Sequence, residues 1–200
     1  MNKMVYQRPS GSRRSSMQIT RYKERPVLDT EIRIAKPVIV HGSTECHVTP
    51  PRVAELMATL LVDNIGFSKE VLDPQVGTGN LIQALLDAGF NLRNLHGVER
   101  QYDLVDTTRS RFEGLSVTHR CFLDFSNDSI GCYDGVITNP PFSHVRQHMI
   151  AAEQVLKPRG VIVALVPVSF ERDGYREIKL LDENTFATAK VRTKVVLFQS

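Results

Sequence analysis

From about residue 30 onward, short apolar segments alternate with longer segments in which apolar residues recur every three or four positions. Val53, Leu56, Met57, Leu60 and Leu61 form one such stripe, which predicts a helix packed on a core. Short apolar segments bounded by turn residues predict strands. The pattern gives strands over 31–36, 37–42, 70–73, 94–99, 115–122, 133–138, 160–168 and 191–199, and helices over 53–62, 80–89, 101–112 and 144–156.

This alternation predicts an α/β fold in which helices cover both faces of a mostly parallel sheet. In such sheets a ligand lies beyond the carboxyl ends of the strands, near the point where the strand order reverses. We therefore expect a binding site among the polar and glycine-rich segments that follow the predicted strands.

Positive charge is concentrated at the start of the chain, whose 200 residues carry a formal net charge of +3. Residues 1–25 contain seven basic residues and one acidic residue, a net charge of +6, so the remaining 175 residues sum to −3. Pro, Gly and Ser without apolar periodicity predict a disordered basic arm at 1–25, which either binds a polyanion or is a solvated tail. We expect residues 26–200 to form a single folded domain.

Cysteine and histidine positions give no sign of a metal site. Three cysteines form neither a metal-binding spacing nor an even disulfide set, so we expect a reducing, cytoplasmic compartment. His144 and His148 are four residues apart on a predicted helix, but no further ligands are spaced to join them. The sequence has neither an apolar run of bilayer length nor an apolar secretory signal at its start, so we expect no membrane association.

The segment VLDPQVGTGNL joins a predicted strand to a predicted helix and resembles a nucleoside-binding turn. Gly77 and Gly79 allow a tight turn and close approach of a ligand to the backbone. Glu99 ends the next strand 20 positions after Gly79, where a carboxylate can accept hydrogen bonds from ribose hydroxyls. Ile82 occupies the place of the third glycine of a dinucleotide motif, and Asp73 would repel a pyrophosphate but attract an ammonium group. S-adenosylmethionine fits these residues; an ordinary strand-to-helix turn is the alternative.

Asp124 follows the predicted strand 115–122. Its carboxylate can accept a hydrogen bond from the amino group of an adenine ring, with Phe122 or Phe125 packed on that ring. The alternative is that Asp124 caps a helix or a turn, as aspartate commonly does.

Asn139-Pro140-Pro141-Phe142 follows the predicted strand 133–138, and its two prolines make the backbone there rigid. The Asn139 side-chain carbonyl and the Pro140 backbone carbonyl can both accept hydrogen bonds from an exocyclic or amide nitrogen, which turns its lone pair toward a methyl donor. Phe142 can stack on a flat acceptor such as a flipped base. A proline-rich turn with a core phenylalanine is the alternative.

Taken in this order, the segments resemble the class I methyltransferase superfamily, and within it the amino-methyltransferases marked by Asn-Pro-Pro-aromatic, especially the gamma-type DNA adenine methyltransferases. DPQVGTGN is similar to the glycine motif, GVER to the ribose motif, CFLDF to the adenine motif and NPPF to the catalytic motif. HVTPPRVAELM is similar to the segment that precedes the glycine motif, and TFATAKVRTKVVLFQ to the closing hairpin. Roughly residues 45–200 are covered.

This resemblance implies a Rossmann-like fold with a seven-stranded, mostly parallel sheet, one strand of which is antiparallel, and methyl transfer from S-adenosylmethionine to the 6-amino group of adenine in DNA. The implied catalytic residues are Asn139, Pro140, Pro141 and Phe142. The implied cofactor-binding residues are Thr49, Pro50, Asp73, Gly77, Gly79, Asn80, Glu99, Asp124, Phe125 and Asn139. Little sequence separates the fifth strand from the closing hairpin, and we expect no target-recognition domain after the core. Specificity would then be low, come from a partner protein, or depend on the basic arm.

Other acceptors and one non-enzymatic role stay open. Glutamine methyltransferases with this tetrapeptide tend to carry Tyr where Phe142 stands and a helical domain ahead of the core, and this chain has neither. Methylation of adenine or guanine amines in RNA is the closer alternative. A non-catalytic module that binds S-adenosylmethionine or nucleic acid belongs to another class. We expect nucleic acid as the partner, DNA ahead of RNA, and by analogy a bacterial or phage enzyme.

Overall fold

The computed structural model describes residues 48–182 and 191–200, together with the backbone of two short strands near the start of the chain. Apart from those two strands, the predicted basic arm at 1–25 lies outside the described residues. The predicted strands at 31–36 and 37–42 lie outside them as well.

The chain divides into two compact units, Met1–Pro37 and Val38–Ser200. In the first unit, β1 (Val5–Tyr6) pairs with β2 (Ile19–Thr20) in an antiparallel two-stranded sheet. The second unit contains all the candidate site residues named above.

The second unit is built around one sheet of seven strands. In sheet order these are β5 (Ser116–His119), β4 (Leu95–Glu99), β3 (Val71–Asp73), β6 (Tyr133–Thr138), β7 (Leu156–Pro167), β9 (Thr193–Gln199) and β8 (Arg176–Leu180). All pairings from β5 to β7 are parallel, whereas β9 is antiparallel to both of its neighbours. The strand order reverses between β3 and β6, which is the position where α/β sheets bind ligands.

Five helices cover the two faces of this sheet within the described part of the unit. They are α1 (Pro51–Ile65), α2 (Asn80–Asp87), α3 (Tyr102–Arg111), α4 (Phe122–Asn127) and α5 (Val145–Val155). Successive strand residues point to opposite faces, so Val71 packs with α1 and α2, whereas the next residue, Leu72, packs with α4 and α5. Buried apolar residues on both faces explain why the central strands read as continuous apolar runs. The predicted α/β fold, with a mostly parallel seven-stranded sheet between two helical layers, is confirmed.

The last strand, β9, returns the chain to the edge of the sheet where the parallel strands begin, opposite to their carboxyl ends. Thr193 pairs with Pro167 at the carboxyl end of β7, and Gln199 pairs with Val161 in the middle of β7, level with the start of β3. The backbone amide of Ser200 then donates to the carbonyl of Gly160 at 3.0 Å.

One sequence expectation about elements is wrong, and one strand was not predicted. The predicted strand 115–122 ends at His119, because the chain turns into α4 after the Arg120 amide has made a last hydrogen bond to the Glu99 carbonyl. The aromatic residues of CFLDF therefore belong to a short helix, in which Phe122 is buried against the core and is not a strand residue. Strand β8 was not predicted, because its sequence REIKL is largely exposed and is held by backbone pairing with β9.

Candidate functional site

A cavity of about 530 Å³ lies at the carboxyl ends of β3, β4, β5 and β6. It is the position that the reversal of strand order predicts. Its wall is formed by the glycine loop, by residues at the strand ends and by residues at the start of α5. The residues that line it include Thr49, Asp73, Gln75, Gly77, Asn80, Glu99, Phe122, Leu123, Asn139, Pro141 and His148.

The glycine loop is fixed to the next strand by a carboxylate. Gly77 and Gly79 have φ angles of 52° and 80°, in the left-handed region that favours glycine. The Gly77 amide donates to Glu99 Oε2 at 3.1 Å, and the Gln101 amide donates to Glu99 Oε1 at 2.8 Å. The Thr108 hydroxyl donates to the Gly77 carbonyl at 2.6 Å. Glu99 is therefore held in one orientation at the cavity wall, with lone pairs left on both oxygens.

Asp73 is a buried carboxylic acid at the end of β3, with 1% of its surface exposed. Its Oδ1 accepts a hydrogen bond from the Gln75 amide at 3.3 Å, and its Oδ2 has no hydrogen-bond partner among the described residues. Burial raises the pKa of Asp73 to about 8; the Gln75 hydrogen bond lowers this pKa, and the nearby Glu99 charge raises it. A cationic group arriving at the cavity would meet a carboxyl group that can ionise on its arrival.

Thr49 ties the tetrapeptide to the glycine loop from the far side of the cavity. The Asn139 side-chain Nδ2 donates to Thr49 Oγ1 at 3.1 Å, and the Asn80 side-chain Nδ2 donates to the Thr49 carbonyl at 3.0 Å. Arg111 extends the connection by donating to the carbonyl of Thr78 and to Asn80 Oδ1. The Asn139 amide thus uses its Nδ2 end to contact Thr49, and its carbonyl oxygen is at the other end of the amide.

Phe142 lies beside the main cavity and not in its wall. It lines a second cavity of about 340 Å³, which is formed by residues 142–147 and by Pro167, Ser169 and Phe170. Half-buried Phe142 also packs against the core under α1. The two cavities share Ser143, His144 and Gln147, so they adjoin at the start of α5.

The segment that carries Phe170 is held against α5 by an ion pair. Arg172 donates from Nε and Nη2 to the two carboxylate oxygens of Glu153, both at 2.6 Å. The Tyr175 hydroxyl donates to Glu153 Oε1 at 2.8 Å, and the Tyr175 ring stacks on Phe198. These contacts fix one wall of the second cavity.

The structure brings most of the predicted site residues together. Seven of them line the main cavity: Thr49, Asp73, Gly77, Asn80, Glu99, Asn139 and Pro141. Pro50 begins α1 as its capping residue, Gly79 caps α2, and Pro140 is buried between its neighbours. None of these three lines either cavity.

Asp124 and Phe125 are not brought to the main cavity. Asp124 is exposed in the first turn of α4, and Phe125 packs beneath that helix. The lining at this point consists of Cys121, Phe122 and Leu123.

Gln75 and His148 line the main cavity but were not predicted to bind the cofactor or to act in catalysis; from sequence, His148 was expected to be a surface or substrate-side residue. Gln75 Nε2 lies 2.9 Å from His148 Nδ1, and the Thr138 hydroxyl donates to Gln75 Oε1 at 2.6 Å. The location of Gln75 inside the glycine loop is a signal that could have marked it. Nothing in the sequence indicates that His148, which is 73 positions away, is its partner.

Within the described residues, no group of three or more His, Cys, Asp or Glu side chains is arranged to hold a metal ion. In the same part of the chain, no helix has both the length and the apolar character needed to cross a bilayer.

Comparison with known proteins identifies the fold. No family model matches the chain, and no curated protein matches it. Among solved structures, it is similar to the type I restriction-modification system methyltransferase subunit of Streptococcus thermophilus, with 17% identity, a TM-score of 0.67, and coverage of 77% of this chain and 45% of that one.

Two further structures show the same likeness. One is lmo1582 of Listeria monocytogenes, a candidate class I S-adenosylmethionine-dependent methyltransferase, with 19% identity, a TM-score of 0.63, and coverage of 80% of this chain and 63% of that one. Another is PH1948 of Pyrococcus horikoshii, a candidate RNA methyltransferase, with 18% identity, a TM-score of 0.60, and coverage of 77% and 86%. The chain therefore has the Rossmann-like fold of the class I S-adenosylmethionine-dependent methyltransferases.

Proposed function

We propose that this chain transfers a methyl group from S-adenosylmethionine to the exocyclic amine of adenine in DNA. The observation that carries the proposal is the shared cavity. Asn139, the first residue of the NPPF tetrapeptide, lines the same space as the glycine loop and Glu99. A methyl donor held by the loop and an amine held by Asn139 would then lie next to each other.

The residues of the main cavity fit S-adenosylmethionine. Its volume of about 530 Å³ lies inside the range of roughly 300–1,000 Å³ that small-molecule sites occupy. Asp73 can hold the α-ammonium group, because its buried Oδ2 has no partner among the described residues. Glu99 can accept from ribose hydroxyls with the lone pairs that the two backbone amides leave.

The adenine ring of the cofactor is assigned to Phe122 and Leu123. These side chains line the cavity, whereas Asp124 and Phe125, which the motif resemblance implies, do not. Apolar packing on a flat ring supplies binding energy without a charge, so this subsite does not depend on Asp124.

When bound, S-adenosylmethionine supplies an electrophilic methyl carbon attached to a sulfonium centre. The protein's part is to present the acceptor nitrogen. The Asn139 side-chain carbonyl and the Pro140 backbone carbonyl accept hydrogen bonds from the amine, and Thr49 holds the Asn139 amide through its Nδ2 at 3.1 Å. Positioning of this kind, with dipoles arranged before the reaction, lowers the barrier without a strong base.

The second cavity is the proposed site for the ring of the acceptor base, whose amine would reach Asn139 in the wall of the main cavity. Phe142 and Phe170 provide flat apolar surface in its wall, and the cavity adjoins the main one at the start of α5. A base taken out of its stack pairs well with such aromatic surface. Nucleic acid is further supported by the similar methyltransferase subunit of a type I restriction-modification system. Selection of a target sequence is assigned to a partner protein or to the basic arm at 1–25.

Methylation of RNA is the second candidate, because the fold is also similar to PH1948, a candidate RNA methyltransferase.

The test measures transfer of a labelled methyl group from S-adenosylmethionine to DNA, RNA and protein acceptors under the same conditions. We expect label in DNA, recovered as N6-methyladenine after hydrolysis. Label in RNA alone would replace the DNA proposal with the RNA one. Absence of label in every acceptor, with cofactor binding intact in calorimetry, would make the chain a non-catalytic module.

Asn139→Ala provides the matching site test. We expect it to lower transfer by about 100-fold or more, because one of two positioned acceptors is removed, while cofactor affinity changes little. Asn64→Ala is the control, since Asn64 is exposed on α1 and its side chain bonds only locally to the Leu60 carbonyl. Wild-type transfer by Asn139→Ala would refute the catalytic assignment.

A further inference from the structure

A chain of hydrogen bonds connects three elements across the floor of the main cavity. The Thr138 hydroxyl donates to Gln75 Oε1 at 2.6 Å, and Gln75 Nε2 lies 2.9 Å from His148 Nδ1. The backbone amide of Gln75 also donates to Asp73 Oδ1 at 3.3 Å. One residue of the glycine loop thus contacts the end of β3, the end of β6 and the middle of α5.

The donor and acceptor roles in this chain are mutually dependent. With Gln75 Oε1 accepting from the Thr138 hydroxyl, the NH₂ end of the amide faces His148. His148 Nδ1 must then accept, which leaves the ring proton on Nε2. Burial, together with the neighbouring charges of His144 and Arg100, lowers the pKa of His148 to about 4, so the ring is neutral at pH 7.

His148 is also fixed from its flat side. Its ring stacks on Phe122 with 6.0 Å between ring centroids and 22° between ring planes. Gln75, Phe122 and His148 all line the main cavity. Thr138 is 1% exposed and directly precedes Asn139, so the position of the Gln75 amide is linked to the residue that faces the acceptor.

We propose that Gln75 is a positioning residue, which couples the glycine loop to the tetrapeptide and to α5 by holding Thr138 and the Nε2–H form of His148 with a single side-chain amide. The functional part of this inference rests on the methyltransferase function proposed above. A ligand bound at the glycine loop would then change the position of Asn139 and of the residues at the start of the second cavity. The change would pass through neighbours that lie within hydrogen-bond distance of one another.

The first test needs no turnover. In uniformly ¹⁵N-labelled protein at pH 7, we expect the His148 ring, assigned by the disappearance of its signals in His148→Asn, to show the Nε2–H form with Nδ1 accepting. Gln75→Leu removes both hydrogen bonds at similar volume, so we expect a mixture of ring forms and a shift of the Asn139 side-chain amide signal. Gln75→Glu places an acceptor toward the ring, and we expect the proton to move to Nδ1.

The matched control for these spectra is Gln83→Leu, because Gln83 is a glutamine of α2 whose side chain bonds only to Asp87 on the same helix. It should leave both the His148 and the Asn139 signals in place. An unchanged ring form in Gln75→Leu and in Gln75→Glu would overturn the proposal, as would equal shifts of the Asn139 signal in Gln75→Leu and Gln83→Leu.

The second test uses the rate of methyl transfer at saturating cofactor. We expect Gln75→Leu to lower kcat by roughly tenfold to 100-fold, as misplacement of reacting groups by about 1 Å does, with a smaller change in KM for the acceptor. Gln75→Glu, which keeps an acceptor for Thr138, is expected to recover part of that decrease. A kcat equal to wild type in Gln75→Leu would overturn the coupling.

Failure of this inference and failure of the proposed function are distinguishable. If the wild-type chain transfers no methyl group to any acceptor, the proposed function fails. The NMR signals of the His148 ring and of the Asn139 side-chain amide then decide by themselves whether Gln75 couples the three elements. If transfer is normal in every Gln75 variant, the function stands and the coupling fails.

Discussion

Lowering the pH from 8 to 6 is expected to weaken S-adenosylmethionine binding, because Asp73 must be ionised to hold the α-ammonium group. Burial raises the pKa of Asp73 from 3.8 to about 8. Roughly half of the free protein then carries the carboxylate at pH 8, and roughly one molecule in 100 at pH 6. The ligand's α-amino group, with a pKa of about 8, is about half charged at pH 8 and almost fully charged at pH 6. Since apparent affinity scales with the competent fraction of both partners, the Kd should rise about 25-fold, or about 2 kcal/mol.

The assay is calorimetry with S-adenosylmethionine, and with its demethylated product, which keeps the ammonium group. At pH 7 about 0.8 proton should be released per complex, because about nine-tenths of Asp73 is protonated before binding and about one-tenth of the ligand must take up a proton. Buffers with different ionisation heats measure that release directly. Above pH 8 affinity should stop rising, since the ligand's own α-amino group loses its proton with a pKa of about 8.

Asp73→Asn is the control, because it keeps the shape of the side chain and removes the titration. Its cofactor affinity should be weak and nearly independent of pH between 6 and 8. A wild-type Kd that changes less than twofold over this range would refute the reasoning, and so would an equal pH dependence in Asp73→Asn.

The same pKa has a consequence for folding. Asp73 has a higher pKa in the folded chain than in the unfolded one, so the folded state binds more protons between those two values. Its contribution to stability is complete below about pH 4 and is lost as the pH rises through about 8. The free energy of unfolding of Asp73→Asn, measured by urea denaturation, should therefore increase relative to that of the wild type as the pH is raised from 5 to 9.

Two further predictions concern the core and the arm. Leu61→Ala should lower the free energy of unfolding by about 2–5 kcal/mol, since Leu61 is 0% exposed on the buried face of α1. Leu180→Ala, at a position that is 48% exposed, should change it by about 0.5 kcal/mol or less, and equal effects of the two substitutions in urea denaturation would contradict the described packing. Deletion of residues 1–25 should weaken DNA binding and flatten the dependence of log K on log salt by about 0.9 for each phosphate that the arm neutralises, and an unchanged salt titration would make the arm a solvated tail.

The central part of the fold could be predicted from sequence because each strand and helix carries its own apolar pattern. β3, β4, β6 and β7 are buried on both faces, and α1 and α5 bury one stripe, so local periodicity is sufficient to locate them. β8 could not be found this way. Most of its residues are exposed, and its position depends on backbone hydrogen bonds to β9 that leave no mark in side-chain pattern.

The candidate site was predictable to the extent that its residues follow strand ends. Asp73, Glu99 and Asn139 each come directly at or after a strand, and the parallel sheet brings those ends together. The expectation for Asp124 depended on an exact strand boundary, and α4 begins two residues earlier than Asp124 and turns that side chain outward. The contact between Gln75 and His148 joins residues 73 positions apart, which a single sequence does not reveal.

The direction of β9 has a practical consequence for experiments on this protein. Because β9 runs against β7, Ser200 lies beside Gly160, at the edge of the sheet opposite to Pro167 and the second cavity. Seven residues of strand separate the two edges by roughly 20 Å. An affinity tag, a dye or a sensor-chip linkage attached after Ser200 would therefore lie away from the main cavity and from the second cavity. Protein immobilised in this way should bind small molecules as it does in solution.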